Sequence, residues 1–160
     1  MLRTGDILNC QGNRWLSKLI GKFTRSKFTH SAIVVIIEDE TYIVEMQKNG
    51  CETKTYENWV IDYGYDYVIT RSTTPPSRIK ILSKSGTTNY DFALLALRFP
   101  FRLIQSAITG KRFKVERDKS EDNRMTCSEF VAWCYGWEDP QNYSPKDVYE
   151  KSLKEGFKEI

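Results

Sequence analysis

The chain has 160 residues, of which 40% are hydrophobic and 28% are charged. These proportions are typical of a globular protein that is long enough to bury one sizeable core. Its 24 basic and 21 acidic residues leave a net charge of +3, which is too balanced to indicate nucleic acid as a partner, and none is expected. The four cysteines contain no CxxC pair and there is one histidine, so the composition argues against a disulfide framework and against structural zinc.

The beginning of the chain shows no signal-peptide pattern. The segment MLRTGDIL lacks a basic stretch followed by a long apolar run, and reduced thiols fit a cytosol-like compartment. A cytoplasmic location is therefore expected, although an exported protein whose signal peptide had been removed would look the same. The most apolar segment is interrupted by Arg98, Pro100 and Arg102, so it is not expected to span a bilayer.

The first part of the chain is predicted to form five strands and one helix. Runs of β-branched or alternating apolar residues predict the strands, which are Gly5–Asn9, His30–Ile37, Thr41–Gln47, Glu52–Tyr56 and Tyr65–Arg71. The helix, Asn13–Phe23, has large apolar residues on one face and basic residues off it. The ordinary interpretation of this helix is a core-packed element with a solvated basic side.

The second part of the chain is predicted to be helical. A connector around Pro75 and Pro76 precedes helices at Ser77–Ser83 and Tyr90–Ser106. The charged run 110–123 is expected to be a solvated loop. A helix at Cys127 follows, and a last helix begins at Ser144 and Pro145 and ends at Gly156. Mixed strands followed by helices predict an α+β fold, in one domain over residues 1–160.

The stretch MTCSEFVAWCYGW, residues 125–137, places a cysteine at a predicted helix start. Thr126 and Glu129 have the spacing of a capping box, which makes Cys127 the first helical residue. Free N–H groups and the helix dipole there would favour a thiolate, and could also bind an oxyanion. A cysteine on an apolar helix stripe is more often simple packing; that interpretation stays open for Cys127 and is preferred for Cys134.

A base and a third polar residue are available on the predicted strands. His30, where a polar loop meets an apolar strand, is the only histidine that could serve a thiol nucleophile. If Ile36 pairs with Thr41, Glu45 lies opposite Ala32 and diagonal to His30, within reach of a glutamate side chain. The alternatives are a surface histidine and a solvent-facing glutamate.

Six short motifs occur in the order seen in the permuted papain-like proteins of the NlpC superfamily. They are GDIL, FTHSAIVV, YIVEM, NYDFALL, TCSEFVAW and YSPKDVY. The chain most resembles the small bacterial YiiX-like hydrolases, whose relatives include the lecithin:retinol acyltransferase group, over roughly residues 4–150. The resemblance implies a circularly permuted papain-like α+β core. In it an antiparallel sheet packs against helices, and the nucleophile stands at a helix N-terminus.

The resemblance also implies roles for particular residues. The family's nucleophile falls on Cys127, its histidine on His30 and its third polar residue on Glu45. The tyrosine before the cysteine helix falls on Tyr90, which with Ser128 is a candidate for the substrate side and for oxyanion support. A buried tyrosine that only satisfies its own hydroxyl explains Tyr90 equally well.

The implied activity is cleavage of an amide bond, peptide or peptidoglycan-like, through a Cys-His-Glu triad and a thioester, without metal or organic cofactor. Asp6 of the GDI motif is expected to have a structural role. Thr126 stands where the lipid acyltransferase branch has asparagine, which favours the hydrolase branch. Two alternatives stay open. One is a lipid acyl hydrolase or acyltransferase at a membrane surface, suggested by the relatives, by the helix Asn13–Phe23 and by Phe99–Phe101. The other is a non-catalytic binding protein on the same fold.

Overall fold

The computed structural model describes residues 1–12, 26–64, 66–91 and 123–160, and the architecture there is α+β, as predicted. The strands are β1 (Ile7–Gln11), β2 (His30–Ile37), β3 (Glu40–Gln47), β4 (Gly50–Thr55), β5 (Asp66–Arg71), β6 (Asn89–Tyr90), β7 (Arg124–Met125) and β8 (Lys158–Glu159). The helices are α1 (Tyr56–Tyr63), α2 (Arg78–Leu82), α3 (Cys127–Tyr135) and α4 (Pro145–Lys154), with a 3-10 turn at Pro140–Asn142.

Six strands form one antiparallel sheet in the order β4-β3-β2-β1-β5-β8. The hairpin of β2 and β3 has the expected register, with Ile36 opposite Thr41 and Ala32 opposite Glu45. Because successive side chains of a strand point to opposite faces, this register puts Glu45 on the same face as His30. The remaining two strands, β6 and β7, form a separate parallel pair.

A buried cluster of side chains lies on each face of the sheet. On one face, Ile33 of β2 belongs to a cluster that includes Phe130 of α3. On the other face, Val34 belongs to a cluster that includes Trp59 of α1. All four side chains are fully buried, and burying one such as Phe130 contributes about 1.5–3 kcal/mol. Strand β2, which begins at His30, is therefore held from both sides.

The later helices follow the predicted capping signals. Helix α3 begins at Cys127 behind a capping box. Helix α4 has Ser144 as its N-cap and Pro145 as its first residue, and Gly156 follows its end with a left-handed backbone (φ 80°). Helix α2 lies within the predicted range Ser77–Ser83. The structure confirms these predictions. They could be made from the sequence because a helix cap is encoded by a few neighbouring residues.

The sequence did not predict α1. The expected strand Glu52–Tyr56 stops at Thr55, whose hydroxyl accepts a hydrogen bond from the N–H of Asn58 and so starts a helix. Gly64 ends that helix with a left-handed backbone (φ 53°), a conformation that glycine adopts without a steric cost. The helix places Trp59, its only buried side chain, against the sheet.

Other predicted boundaries were also wrong. The first strand runs from Ile7 to Gln11 rather than from Gly5 to Asn9, because the backbone turns at Gly5 (φ 89°) before it becomes extended. Tyr90 does not start a helix but lies in β6, opposite Met125. A short parallel pairing of this kind joins residues far apart in the chain, which local sequence patterns do not encode.

Several predictions concern residues outside the described ranges. They are the helix Asn13–Phe23, the part of the helix Tyr90–Ser106 beyond residue 91, the segment Phe99–Phe101, and the charged run 110–123 except for its last residue. In the described part of the chain, none of the helices has the length and apolar character needed to span a membrane.

Candidate active site

The start of α3 fixes the position of the Cys127 thiol. The hydroxyl of Thr126 accepts from the N–H of Glu129 at 3.3 Å, and the Glu129 carboxylate accepts from the N–H of Thr126 at 3.2 Å. The hydroxyl of Ser128 donates to the carbonyl of Tyr143 at 2.7 Å, which ties the first turn to the loop before α4. Hydrogen bonds therefore fix the residues immediately before and after the cysteine.

His30 and Glu45 meet across the hairpin of β2 and β3. Nε2 of His30 lies 2.6 Å from Oε2 of Glu45. The other carboxylate oxygen, Oε1, accepts from the side-chain amide of Gln47 at 3.0 Å. His30 is 8% exposed and Glu45 only 1%, so the contact is shielded from water. A charged pair interacts more strongly in such a place than at the surface.

The sulfur of Cys127 reaches the other side of the His30 ring. The thiol is hydrogen-bonded to His30 and to the backbone N–H groups of Ser31 and Ser128. Since Glu45 occupies Nε2, Nδ1 is the ring nitrogen that faces the sulfur. Ser31 is the partner of Asn9 on β1, whereas the pairing of β2 with β3 begins only at Ala32, so strand β3 does not compete for the N–H of Ser31 that binds sulfur. Cys127, His30 and Glu45 thus form one contiguous chain of contacts.

The contacts shift the three pKa values in the directions that favour charge separation. Burial alone would raise the pKa of Cys127, but the charge and hydrogen bond of His30 and the two backbone N–H groups hold it below its ordinary value. Burial alone would lower the pKa of His30, but the negative charges of Cys127 and Glu45 and the hydrogen bonds to both raise it well above its ordinary value. The arrangement favours a thiolate beside an imidazolium.

The pKa of Glu45 moves in the matching direction. Burial would raise it, but the charge and hydrogen bond of His30 lower it, with smaller contributions from Trp59 and Gln47. An ionised Glu45 beside an imidazolium completes an alternating row of negative, positive and negative charge. Each charge in that row stabilises its neighbour, which offsets the cost of removing all three from water.

The other three thiols lie in surroundings of the opposite kind. Burial raises the pKa of Cys10 and Cys134, and raises that of Cys51 to about 12. Cys134 lies within the apolar cluster that includes Phe130, as expected for a packing residue. Only Cys127 has a lowered thiol pKa, and it is the only cysteine at a helix start.

Tyr90 and Ser128, the two other predicted site residues, both lie near the start of the cysteine helix but make different contacts. Tyr90 is the parallel strand partner of Met125, two residues before Cys127, and its ring packs against the cluster that contains the cysteine. The Ser128 hydroxyl donates its proton to the Tyr143 carbonyl, and the contact of this residue with the sulfur is made by its backbone N–H.

Asp6 has the contacts expected of a structural residue. Its carboxylate accepts from the N–H of Arg3 at 2.8 Å and from two guanidinium nitrogens of Arg71 at 2.7 and 2.6 Å. This bidentate pair joins the turn before β1 to the end of β5. It holds the central strands together and has no contact in common with Cys127.

Sequence reasoning missed three groups at the site: the Ser31 N–H, Gln47 and Trp59. Gln47 was included in a predicted strand. It lies two residues after Glu45, which puts both side chains on one face of the sheet, and this spacing is the one sequence signal that could have indicated their contact. Trp59 lies on a helix that was not predicted. The contact of Ser31 is made by its backbone N–H, which every residue except proline has, so the residue type does not reveal it. Within the described ranges, no group of three or more histidine, cysteine or carboxylate side chains is arranged to hold a metal ion.

Comparison with known proteins agrees with this fold. The chain is similar to the crystal structure described as metalloprotein yiiX from Escherichia coli O157:H7, with a TM-score of 0.57 and 18% sequence identity over 99% of this chain and 96% of that one. At this identity the likeness concerns the fold alone. No curated protein matches the chain significantly. The model of the permuted papain-like amidase enzymes, YaeF/YiiX, C92 family, matches residues 1–156, and this chain therefore belongs to that family.

Proposed function

We propose that this protein is a cysteine hydrolase of amide bonds in which Cys127 is the nucleophile, His30 the general acid and base, and Glu45 the residue that orients the imidazole. The observation that carries the proposal is the sulfur of Cys127, which meets the His30 ring and two backbone N–H groups at once. A thiol used only for packing needs none of these partners. Membership of an amidase family supports the choice of an amide substrate.

The proposed reaction proceeds in two halves. The Cys127 thiolate attacks the carbonyl carbon of the amide and forms a tetrahedral oxyanion. When the C–N bond breaks, the His30 imidazolium gives its proton to the leaving amine and a thioester remains on the sulfur. His30, now neutral, takes a proton from water, the resulting hydroxide attacks the thioester, and the C–S bond breaks to restore thiolate and imidazolium.

The graded exposure of the three residues fits these roles. Cys127 and His30 keep exposed fractions of 5% and 8%, whereas Glu45 keeps only 1%. The groups that would meet substrate are thus the more accessible ones, and the group that would act through the ring is closed off. The N-terminus of α3 offers backbone N–H groups beside the sulfur, where an oxyanion would form. Tyr90, on the strand beside this helix start, is the candidate for a further contact.

The proposal is tested by screening the protein against three substrate classes: model peptides, peptidoglycan fragments and fatty-acyl esters. We expect turnover of an amide substrate, and we expect Cys127→Ser to reduce it by orders of magnitude because the nucleophile acts as a unit with its base. Cys134→Ser is the matched control, since it makes the same chemical change two turns further along α3 and should leave turnover close to the parent value.

Three results would contradict the proposal in different ways. If Cys127→Ser turned over the substrate at the rate of the parent protein, Cys127 could not be the nucleophile. Hydrolysis or transfer of acyl esters without any amide cleavage would favour the lipid-directed alternative. Tight binding of a peptidoglycan fragment without turnover by the parent protein would favour a binding protein on this fold.

A further inference from the structure

The two oxygens of the Glu45 carboxylate contact different side chains, and Trp59 is a further hydrogen-bond partner of the same carboxylate. Oε2 lies 2.6 Å from Nε2 of His30, and Oε1 accepts from Nε2 of Gln47 at 3.0 Å. The terminal torsion of a glutamate side chain has a broad energy well. Contacts to His30 and Gln47 on opposite oxygens therefore restrict this rotation and define the plane of the carboxylate.

Gln47 is well placed for this contact by the strand that carries both residues. It lies two positions after Glu45 on β3, so both side chains point to the same face. The pairing of β3 with β2 stops at Glu45, while the pairing with β4 continues to Gln47 opposite Gly50. The backbone of Gln47 is thus fixed by the sheet, and its half-buried side chain reaches back along the strand to the carboxylate.

The simplest interpretation is that Gln47, a polar residue at a strand end, donates its amide hydrogen bond to the nearest available acceptor. The neighbourhood of Glu45 argues for more than this. Glu45 is only 1% exposed, so water contributes little to stabilising its charge. A carboxylate in such a place stays ionised because of neighbouring positive charge and hydrogen-bond donors, and the Gln47 amide is one of these donors, beside His30 and Trp59.

We propose that Gln47 is a positioning residue for the Cys127–His30 pair: its amide fixes Oε1 of Glu45 and so keeps Oε2 directed at Nε2 of His30. The proposal rests on the proposed function, because it assigns Gln47 a part in the same reaction. It goes further in tracing the state of the thiol to a residue that touches neither the sulfur nor the imidazole.

The experiment measures how fast iodoacetamide labels Cys127 as a function of pH, with the labelled peptides resolved by mass spectrometry. It compares the parent protein with Gln47→Met, which keeps the length of the side chain and removes the amide. Without that donor the ionised carboxylate is less stable, the imidazolium loses support, and the pKa of the Cys127 thiol rises. We expect labelling to slow by at least about 3-fold at a pH below the midpoint, which is a rise of about half a pH unit.

Two further variants complete the test. Gln47→Asn keeps the amide but shortens the side chain by one methylene, so it should also raise the pH midpoint of Cys127 labelling. It takes the place of Gln47→Met if that variant does not fold. Ser85→Ala is the matched control. It removes a side-chain hydrogen bond of 2.8 Å to Thr53 on the neighbouring strand, and it should leave the labelling midpoint unchanged while thermal unfolding reports any general loss of stability.

The outcomes separate the two proposals. A low midpoint in the parent that rises in the Gln47 variants and not in Ser85→Ala supports both. A low parental midpoint that both Gln47 variants leave in place overturns the role of Gln47 alone. A parental midpoint near that of an ordinary thiol overturns the proposed function, and the role of Gln47 with it.

Discussion

Replacing Glu45 by glutamine removes one charge from the centre of the site and changes almost nothing in shape. Oε1 is already engaged by the amide donor of Gln47 at 3.0 Å, so the amide oxygen of the new side chain should occupy that place. Its NH₂ group then faces Nε2 of His30, where the carboxylate oxygen had stood at 2.6 Å. The ring nitrogen must now accept a hydrogen bond instead of donating one.

This exchange has a direct effect on the thiol. An imidazole that accepts at Nε2 carries its proton on Nδ1, the nitrogen that faces Cys127, and cannot take a second proton without losing the new contact. The imidazolium is disfavoured, and the pKa of Cys127 should rise towards the values of the other buried thiols. A rise of about two units makes the thiolate about 100-fold rarer at a pH below both midpoints, and turnover should fall by about 10²–10⁴.

The assay is the pH profile of iodoacetamide labelling at Cys127, followed by kcat/KM on any amide substrate. The control is Glu52→Gln, which neutralises the carboxylate directly opposite Glu45. Glu52 contacts Tyr63 and Lys54 rather than the imidazole, so its loss should leave the profile nearly unchanged. Equal profiles for the parent and Glu45→Gln would refute the reasoning, because the carboxylate would then have no influence on the thiol.

Three further predictions follow from the same contacts. His30→Ala should slow the labelling of Cys127 near neutral pH by at least about tenfold, as peptide-resolved mass spectrometry would show; unchanged labelling would mean that the helix start alone activates the thiol. Cys134→Ser should lower the free energy of unfolding in urea by about 1–3 kcal/mol, since an unpaired hydroxyl enters an apolar cluster; an unchanged value would mean that the hydroxyl finds a partner. The lowered pKa of Glu45 contributes stability above its unfolded value of 4.5 and loses it as the pH falls through the folded value. Urea midpoints between pH 3 and 6 should therefore fall less steeply on acidification in Glu45→Gln than in the parent.

The parts of the site that the sequence predicted are those encoded locally. The capping box of Thr126 and Glu129 spans four residues, so it could be recognised before the structure was known. The hairpin register followed from the short acidic turn between β2 and β3, and it brought Glu45 to His30 as expected. Nothing local, however, says that residue 127 meets residue 30; that pairing was suggested by the need of a thiol nucleophile for a base, by the single histidine of the chain, and by the family resemblance.

The parts that were missed depend on contacts between distant segments. The helix α1 has a single buried side chain, Trp59, so it shows little of the periodicity that reveals an amphipathic helix. The parallel pairing of Tyr90 with Met125 joins residues on either side of a long segment, and two-residue strands leave no alternating pattern. Gln47 was placed on the correct strand, but its contact with Glu45 depends on rotamers rather than on composition.

The order of the contacts along the chain has a consequence for biosynthesis. Strands β1 to β4, with His30 and Glu45, are complete by Thr55, whereas Cys127 comes more than seventy residues later. A growing polypeptide therefore holds the imidazole and the carboxylate well before the sulfur has been made. While it is unfolded, Cys127 lacks the partners that lower its pKa, so it is an ordinary, weakly reactive thiol. We expect the reactive form to arise only once α3 docks on β2, so that the ribosome-bound chain is protected from premature alkylation and oxidation at this residue.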